Sequence, residues 1–150
     1  MGNIDFLYGC VNTEWVFHCE DDWQFYREDF IAQSMAIMGP NPHILQVWLR
    51  DQDDTNGHPI ETGYYTEERI NRVNYRLMSL DYMGCFNGYS TNPSLKRMKD
   101  KVCFEALVAL GPSFIGPEGK VSIYYKLAGY RAAITMRGYV RHIGDGRTTL

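Results

Sequence analysis

The side chains whose spacing best suits them to chemistry are arginines late in the chain. From Tyr130 to His142, the residues Tyr130, Ala132, Ile134, Met136 and Val140 alternate with Arg131, Ala133, Thr135, Arg137, Tyr139 and Arg141. A period of two describes a half-buried antiparallel strand, with one apolar face and three guanidiniums beside a tyrosine on the other. Guanidiniums grip carboxylates and phosphates through paired N–H groups, so such a face suits an acidic protein surface or phosphate. Lys96, Arg97, Lys99 and Lys101 form a second basic cluster in the same half. These four, with Arg131, Arg137, Tyr139 and Arg141, are the candidate partner-binding residues.

Other groupings carry less. Asp51, Asp53, Asp54 and Asn56 before Gly57 have the composition of a calcium loop. Taking Gly57 as its sixth position puts Gln52 first and Gly63 last, where Asp and Glu are required, so a solvated turn is expected and no metal. His18, His43, His58 and His142 are scattered, and neither Gly-x-Ser-x-Gly nor His-Glu-x-x-His is present. His18-Cys19 with Cys10 has ligand chemistry without zinc-knuckle spacing. Cys10, Cys19, Cys85 and Cys103 include no C-x-x-C pair and are expected as free, mostly buried thiols. No catalytic set emerges.

The elements that must position these residues follow from periodicity. Asn92 to Gly111 carries the fullest helix signal: Asn92 as cap, Pro93 at the first helical position, Leu95, Met98, Val102, Ala106 and Ala109 at helical spacing, then Gly111-Pro112 as a stop. A central helix is expected there. Ile4–Tyr8 and Thr13–His18 read as a strand hairpin. Asp21 to Met38 reads as a helix ended by Gly39-Pro40, and His43–Leu49 as a buried strand. Thr66 to about residue 83 reads as a third helix through Ile70, Val73, Leu77 and Leu80, closed by Gly84; a polar turn, Cys85–Thr91, follows it. Gly116-Pro117-Glu118-Gly119 is a tight turn before a strand over Lys120–Tyr125, and Asp145–Leu150 is a polar tail. The expected fold is α+β: three helices packed on one face of a mainly antiparallel sheet, a single layer pair, in one domain over 1–150.

Tyr125-Lys126-Leu127-Ala128-Gly129-Tyr130 resembles the Tyr-x-x-x-Gly-Phe segment near the end of GCN5-related N-acetyltransferases, a likeness that extends over residues 121–140. The resemblance implies acetyl-CoA as cofactor, Tyr125 as the residue that protonates the leaving thiolate, and a helix over Val121–Ala128. The family's pyrophosphate-binding Gln/Arg-x-x-Gly-x-Gly/Ala would lie near Tyr82 to Thr91, where the sequence YMGCFNGYST does not contain it.

The totals decide between function classes. At 45% hydrophobic and 22% charged residues the chain is of the folded kind and not the disordered one. It has no apolar run of membrane-span length and no charged secretory start, so a cytoplasmic protein is expected. Residues 1–93 hold 5 Lys/Arg against 14 Asp/Glu, whereas residues 94–150 hold 10 against 4. Either the halves neutralise each other within one fold, or acidic and basic faces of different copies meet. A net charge of −3 disfavours nonspecific binding to nucleic acid. The expected function is that of a noncatalytic interaction or assembly protein whose partner is itself or a larger assembly. The tyrosine- and tryptophan-rich composition also suits a viral or phage structural or accessory protein, which would place it in the virion. The alternative is an acyl-CoA-dependent N-acyltransferase.

Overall fold

In a computed structural model the described residues are 4–63, 65–67, 72–80, 88–110 and 115–144. They form α1 (Ile4–Gly9), β1 (Trp15–His18), β2 (Trp23–Phe25), α2 (Phe30–Met38), β3 (Ile44–Trp48), β4 (Tyr65–Glu67) and β5 (Val73–Leu77). After these come β6 (Ser94–Arg97), a 3-10 turn (Met98–Asp100), α3 (Phe104–Leu110), α4 (Pro117–Leu127), β7 (Arg131–Thr135) and β8 (Val140–His142). The class is α+β with a mainly antiparallel arrangement.

The largest sheet has the order β3-β7-β5-β4, and only its β3–β7 pair is parallel. Two further antiparallel pairs, β1 with β6 and β2 with β8, stand outside it. Every residue of β3 is buried, in line with its nearly continuous apolar sequence. α2 covers the sheet through Ile37 and Met38, which pack with Ile44, Val47, Val73 and Ala133. α3 and α4 pack on each other, and Val121 and Tyr125 of α4 meet Leu45 and Tyr89. Among the described residues the α-helices number four, where three were expected.

Several expected elements take a different form, each for a visible reason. The central helix does not begin at Asn92: Ser94–Arg97 is strand, paired residue for residue with His18–Trp15, and the helix starts only at Phe104. Strand pairing buries Leu95, Lys96 and Arg97 together, an outcome that tertiary contacts impose over local helix preference. Residues 4–9 are helix, so β1 pairs with β6 and not with them. α2 is confined to Phe30–Met38, because Trp23–Phe25 is drawn into pairing with β8. The third helix is replaced by β4 and β5, where Val73, Tyr75 and Leu77 are buried at strand period and Asn74 is exposed. Lys120–Tyr125 is helix, with Pro117 in the first turn of α4. The long final strand is two, separated at Met136–Arg137 and joined to different sheets. The stops at Gly84 and Gly111-Pro112, residues 85–87 of the Cys85–Thr91 turn and the tail 145–150 lie outside the described residues.

Two glycines permit close approach. Gly88 has φ of 81° and passes so near β7 that a Cβ on it would sit 2.8 Å from that of Ala132. At Gly138 a Cβ would meet the Asp51 carboxyl and backbone, and the Gly138 N–H donates to Asp51 Oδ1 at 2.7 Å.

Arg97 joins these parts. Its side chain is 4% exposed and donates to the carbonyls of Met38 (2.6 Å), Pro42 (2.7 Å) and Ile44 (2.7 Å), and to Asp100 Oδ2 (2.6 Å). One guanidinium thus ties the end of α2, the start of β3 and the 3-10 turn to β6. Arg97→Ala is expected to cost about 3–5 kcal/mol of unfolding free energy, because it strands the buried Asp100 carboxylate and three carbonyls. Arg97→Lys should recover little of that, since one ammonium cannot span all four acceptors. Urea unfolding of the three proteins measures both.

Candidate functional site

A cleft of about 600 Å³ opens where α1, the end of β1, α3 and the start of α4 converge. It is assembled by capping interactions between distant parts of the chain. Asp5 of α1 accepts hydrogen bonds from the Phe104 N–H (2.9 Å) and the Glu105 N–H (2.8 Å), so it caps α3 from another helix. Burial raises the Asp5 pKa, but these N–H donors outweigh it and leave the carboxyl below its ordinary value. At the first turn of α4, Glu118 reaches back to the Thr91 N–H (2.6 Å) and hydroxyl. α4 is thereby locked to the segment that leads into β6.

The wall of the cleft is apolar, with Leu7, Phe104, Val108 and Pro117, and three carboxylates stand around it: Glu20, Glu105 and Glu118. Burial, then the neighbouring Asp22 and Glu118 charges, hold the Glu20 pKa above its ordinary value. His18 also lines the cleft, and its Nδ1 lies 2.9 Å from the Tyr8 hydroxyl. Burial first, then the Lys96 charge, push the His18 pKa down to about 4, which leaves the imidazole neutral at pH 7. Its Nε2 is buried without a hydrogen bond of good geometry. The described lining therefore carries negative charge and no cationic side chain.

Behind His18 lies a buried polar group centred on Lys96. Lys96 Nζ donates to Gln46 Oε1 (2.9 Å) and the Ser90 carbonyl (3.1 Å), and sits 4.9 Å from the centre of the Tyr89 ring. Gln46 Nε2 and Trp48 Nε1 both donate to the Gly88 carbonyl. Burial pushes the Lys96 pKa down to about 7, against the pull of Glu118 and Glu20. Burial likewise raises the pKa of the Tyr8, Tyr89 and Tyr125 hydroxyls. A second cavity of about 30 Å³, lined by Tyr8, Tyr89, Lys96 and Tyr125, is roomy enough for a water molecule.

The basic residues singled out in the sequence are dispersed. Arg131, on β7, ion-pairs with Glu61 and donates to the Met78 carbonyl. Arg137 is exposed between the strands, and Arg141, on β8, donates to Gln24 Oε1 at 2.7 Å. Tyr139 is buried against Phe30, so the single arginine-lined strand face does not form. Lys96 and Arg97 are interior, Lys99 is exposed, and Lys101 Nζ donates to the Asp5 carbonyl at 3.3 Å.

The remaining candidates also go separate ways. In the acidic loop Asp51 accepts from the Tyr26 hydroxyl and Gly138, Asp54 pairs with Arg50, and Asp53 is exposed. No three His, Cys, Asp or Glu side chains among the described residues stand together as metal ligands. Tyr125 lies on α4, where its hydroxyl donates to the Asp100 carbonyl at 2.8 Å. Cys10, Cys19 and Cys103 are free but exposed, not buried, because none falls on an apolar face of the folded chain. Cys85 lies outside the described residues.

The cleft residues His18, Glu20, Thr91 and Glu118 were not visible as a set, being far apart in sequence. One local signal was available: Gly116-Pro117-Glu118 fits a helix start, with proline early and an acid in the first turn, as well as it fits a tight turn. No family model, curated protein or solved structure matches the chain. Among the described residues no helix is long and apolar enough to cross a membrane.

Lys96 sets a pH dependence. With its folded pKa near 7 and an ordinary lysine value of 10.5 when unfolded, the unfolded chain holds more protons between those limits. Stability from this group is full above about 10.5 and is lost as pH falls through 7. Unfolding free energy should therefore climb from pH 7 to 10 by something on the order of a few kcal/mol, and Lys96→Met should flatten the climb. The slope across urea midpoints is the readout, since losing the hydrogen bonds to Gln46 and Ser90 lowers the Lys96→Met curve at every pH.

Proposed function

We propose that the protein works by binding and not by catalysis, and that its cleft takes a basic, partly apolar segment of a protein partner. The observation that carries this reading is an apolar cleft of about 600 Å³ with three carboxylates and no cationic side chain on its described lining, the buried Lys96 lying behind it. A lysine or arginine side chain supplies both missing halves, a charged head for Glu20, Glu105 and Glu118 and an aliphatic stem for Leu7 and Phe104. A protein partner is favoured over a small amine by α1. There Phe6 and Leu7 are 68% and 60% exposed, an apolar surface next to the cleft that a small ion would leave in water.

Titration calorimetry with a peptide of alternating leucine and lysine, against the same peptide with glutamine for lysine, tests this. The lysine peptide is expected to bind, and to weaken as salt is raised to 0.5 M, on the order of several Debye-screened contacts. Glu20→Gln and Glu105→Gln should each weaken it about fivefold, ~1 kcal/mol. Equal affinity for the two peptides would sink the proposal.

A second reading, the acyl-CoA-dependent transferase, is favoured by one observation: α4 runs Pro117–Leu127 and carries Tyr125, as the resemblance requires. Most of the segment where that family binds pyrophosphate, near 82–91, lies outside the described residues. Acetyl-CoA at saturating concentration should raise the melting temperature by several degrees under this reading, and an unchanged melting curve removes it.

A further inference from the structure

A second groove, of about 650 Å³, lies on a different part of the molecule, between α2, the start of β5 and the β7–β8 connection. Arg72 and Arg137 both line it, and both are exposed. Every other arginine described, with the exception of these two, has a hydrogen bond or ion pair: Arg27 to the Gly138 carbonyl, Arg50 to Asp54, Arg76 to Glu61 and Gln52, Arg97 to Asp100, Arg131 to Glu61, Arg141 to Gln24. The guanidiniums of Arg72 and Arg137 make neither with any described residue, although the Arg137 carbonyl accepts from the Thr135 hydroxyl at 2.8 Å. Two unpaired guanidiniums in one concave site are an unmet demand for oxyanions, because the fork of N–H groups matches a carboxylate or phosphate edge.

The rest of the groove fits such a ligand. Asn74 uses its side-chain oxygen to accept from the Thr66 hydroxyl at 2.8 Å, which leaves its amide protons for donation. One carboxylate, Asp29, lines the same groove, so the two guanidiniums leave it net positive. Asp29 also has φ of 65°, a left-handed conformation that a non-glycine residue adopts at a cost and that tends to occur at binding sites. Met136, 46% exposed, adds an apolar side for the ligand's carbon skeleton.

We infer that this groove binds a small oxyanion, a carboxylate or a phosphate, held between Arg72 and Arg137. The site is independent of the acidic cleft and takes the opposite charge. Titration calorimetry with inorganic phosphate and with succinate, each against sodium chloride of equal ionic strength, tests it on the whole chain. Binding beyond the chloride control is expected for at least one probe, and which one binds names the source of the oxyanion. Arg72→Gln and Arg137→Gln should each weaken it about tenfold or more, because each removes one charged fork, while Glu105→Gln should leave it unchanged. Both arginines are exposed and unpaired, so the variants should melt with the wild type, and that is checked in the same buffers. No binding by either probe, or binding that both arginine variants retain, overturns the inference.

Discussion

Two consecutive cations buried on β6 hold the protein's parts in place. Neighbouring side chains on a strand point to opposite sides. Arg97 accordingly turns toward the end of α2 and the start of β3, and Lys96 toward Gln46, Ser90 and the Tyr89 ring. Arg97 has a carboxylate partner in Asp100, whereas Lys96 has only neutral acceptors, which is why burial depresses its pKa. Both sides of the strand therefore depend on polar contacts that no apolar side chain could replace, and every helix packs within reach of one or the other.

Two acidic residues from the first part of the chain pair with basic ones from the last, Glu61 with Arg131 and Asp22 with His142. Two concave sites carry unbalanced charge on their described linings: the cleft has three carboxylates and no cation, the groove two guanidiniums against one carboxylate. The two sites differ in sign and are built from different elements.

How much of this was legible depends on whether one period dominated each stretch. β3 was plain, since its run of apolar residues allows little but a buried strand; Arg131–Thr135 was legible as a strand from its alternation but not as the half-buried one expected, because Ala133 and Thr135 are buried like Ala132 and Ile134. Val73 and Leu77 are ambiguous, lying four apart, which satisfies a helix and, through Tyr75 between them, a strand as well. The same ambiguity affected Val121, Ile123 and Tyr125 in α4, where the proline and acid at its start were the better guide. Ser94–Arg97 was misleading for another reason: its helical spacing is real, but its partner is β1, far away in sequence. The cleft was illegible on the same ground, because His18 and Glu118 come together only through that pairing and the packing of α4.

The single parallel contact of the main sheet, with Ile44 opposite Arg131, has a consequence for the order of assembly. β3 has no neighbour in that sheet other than β7, and β5 lies on the far side of β7. A ribosome that has released β3, β4 and β5 has therefore delivered a hairpin and a hydrophobic strand backed only by α2, with the piece that belongs between them still unsynthesised. Long-range parallel pairing of this kind closes large loops before it returns any contact, and it slows folding. Until β7 emerges, α2 can cover one side of β3 through Ile37 and Met38, but the edge of β3 that β7 will pair with stays open, and an unpaired strand edge is what invites association with other chains.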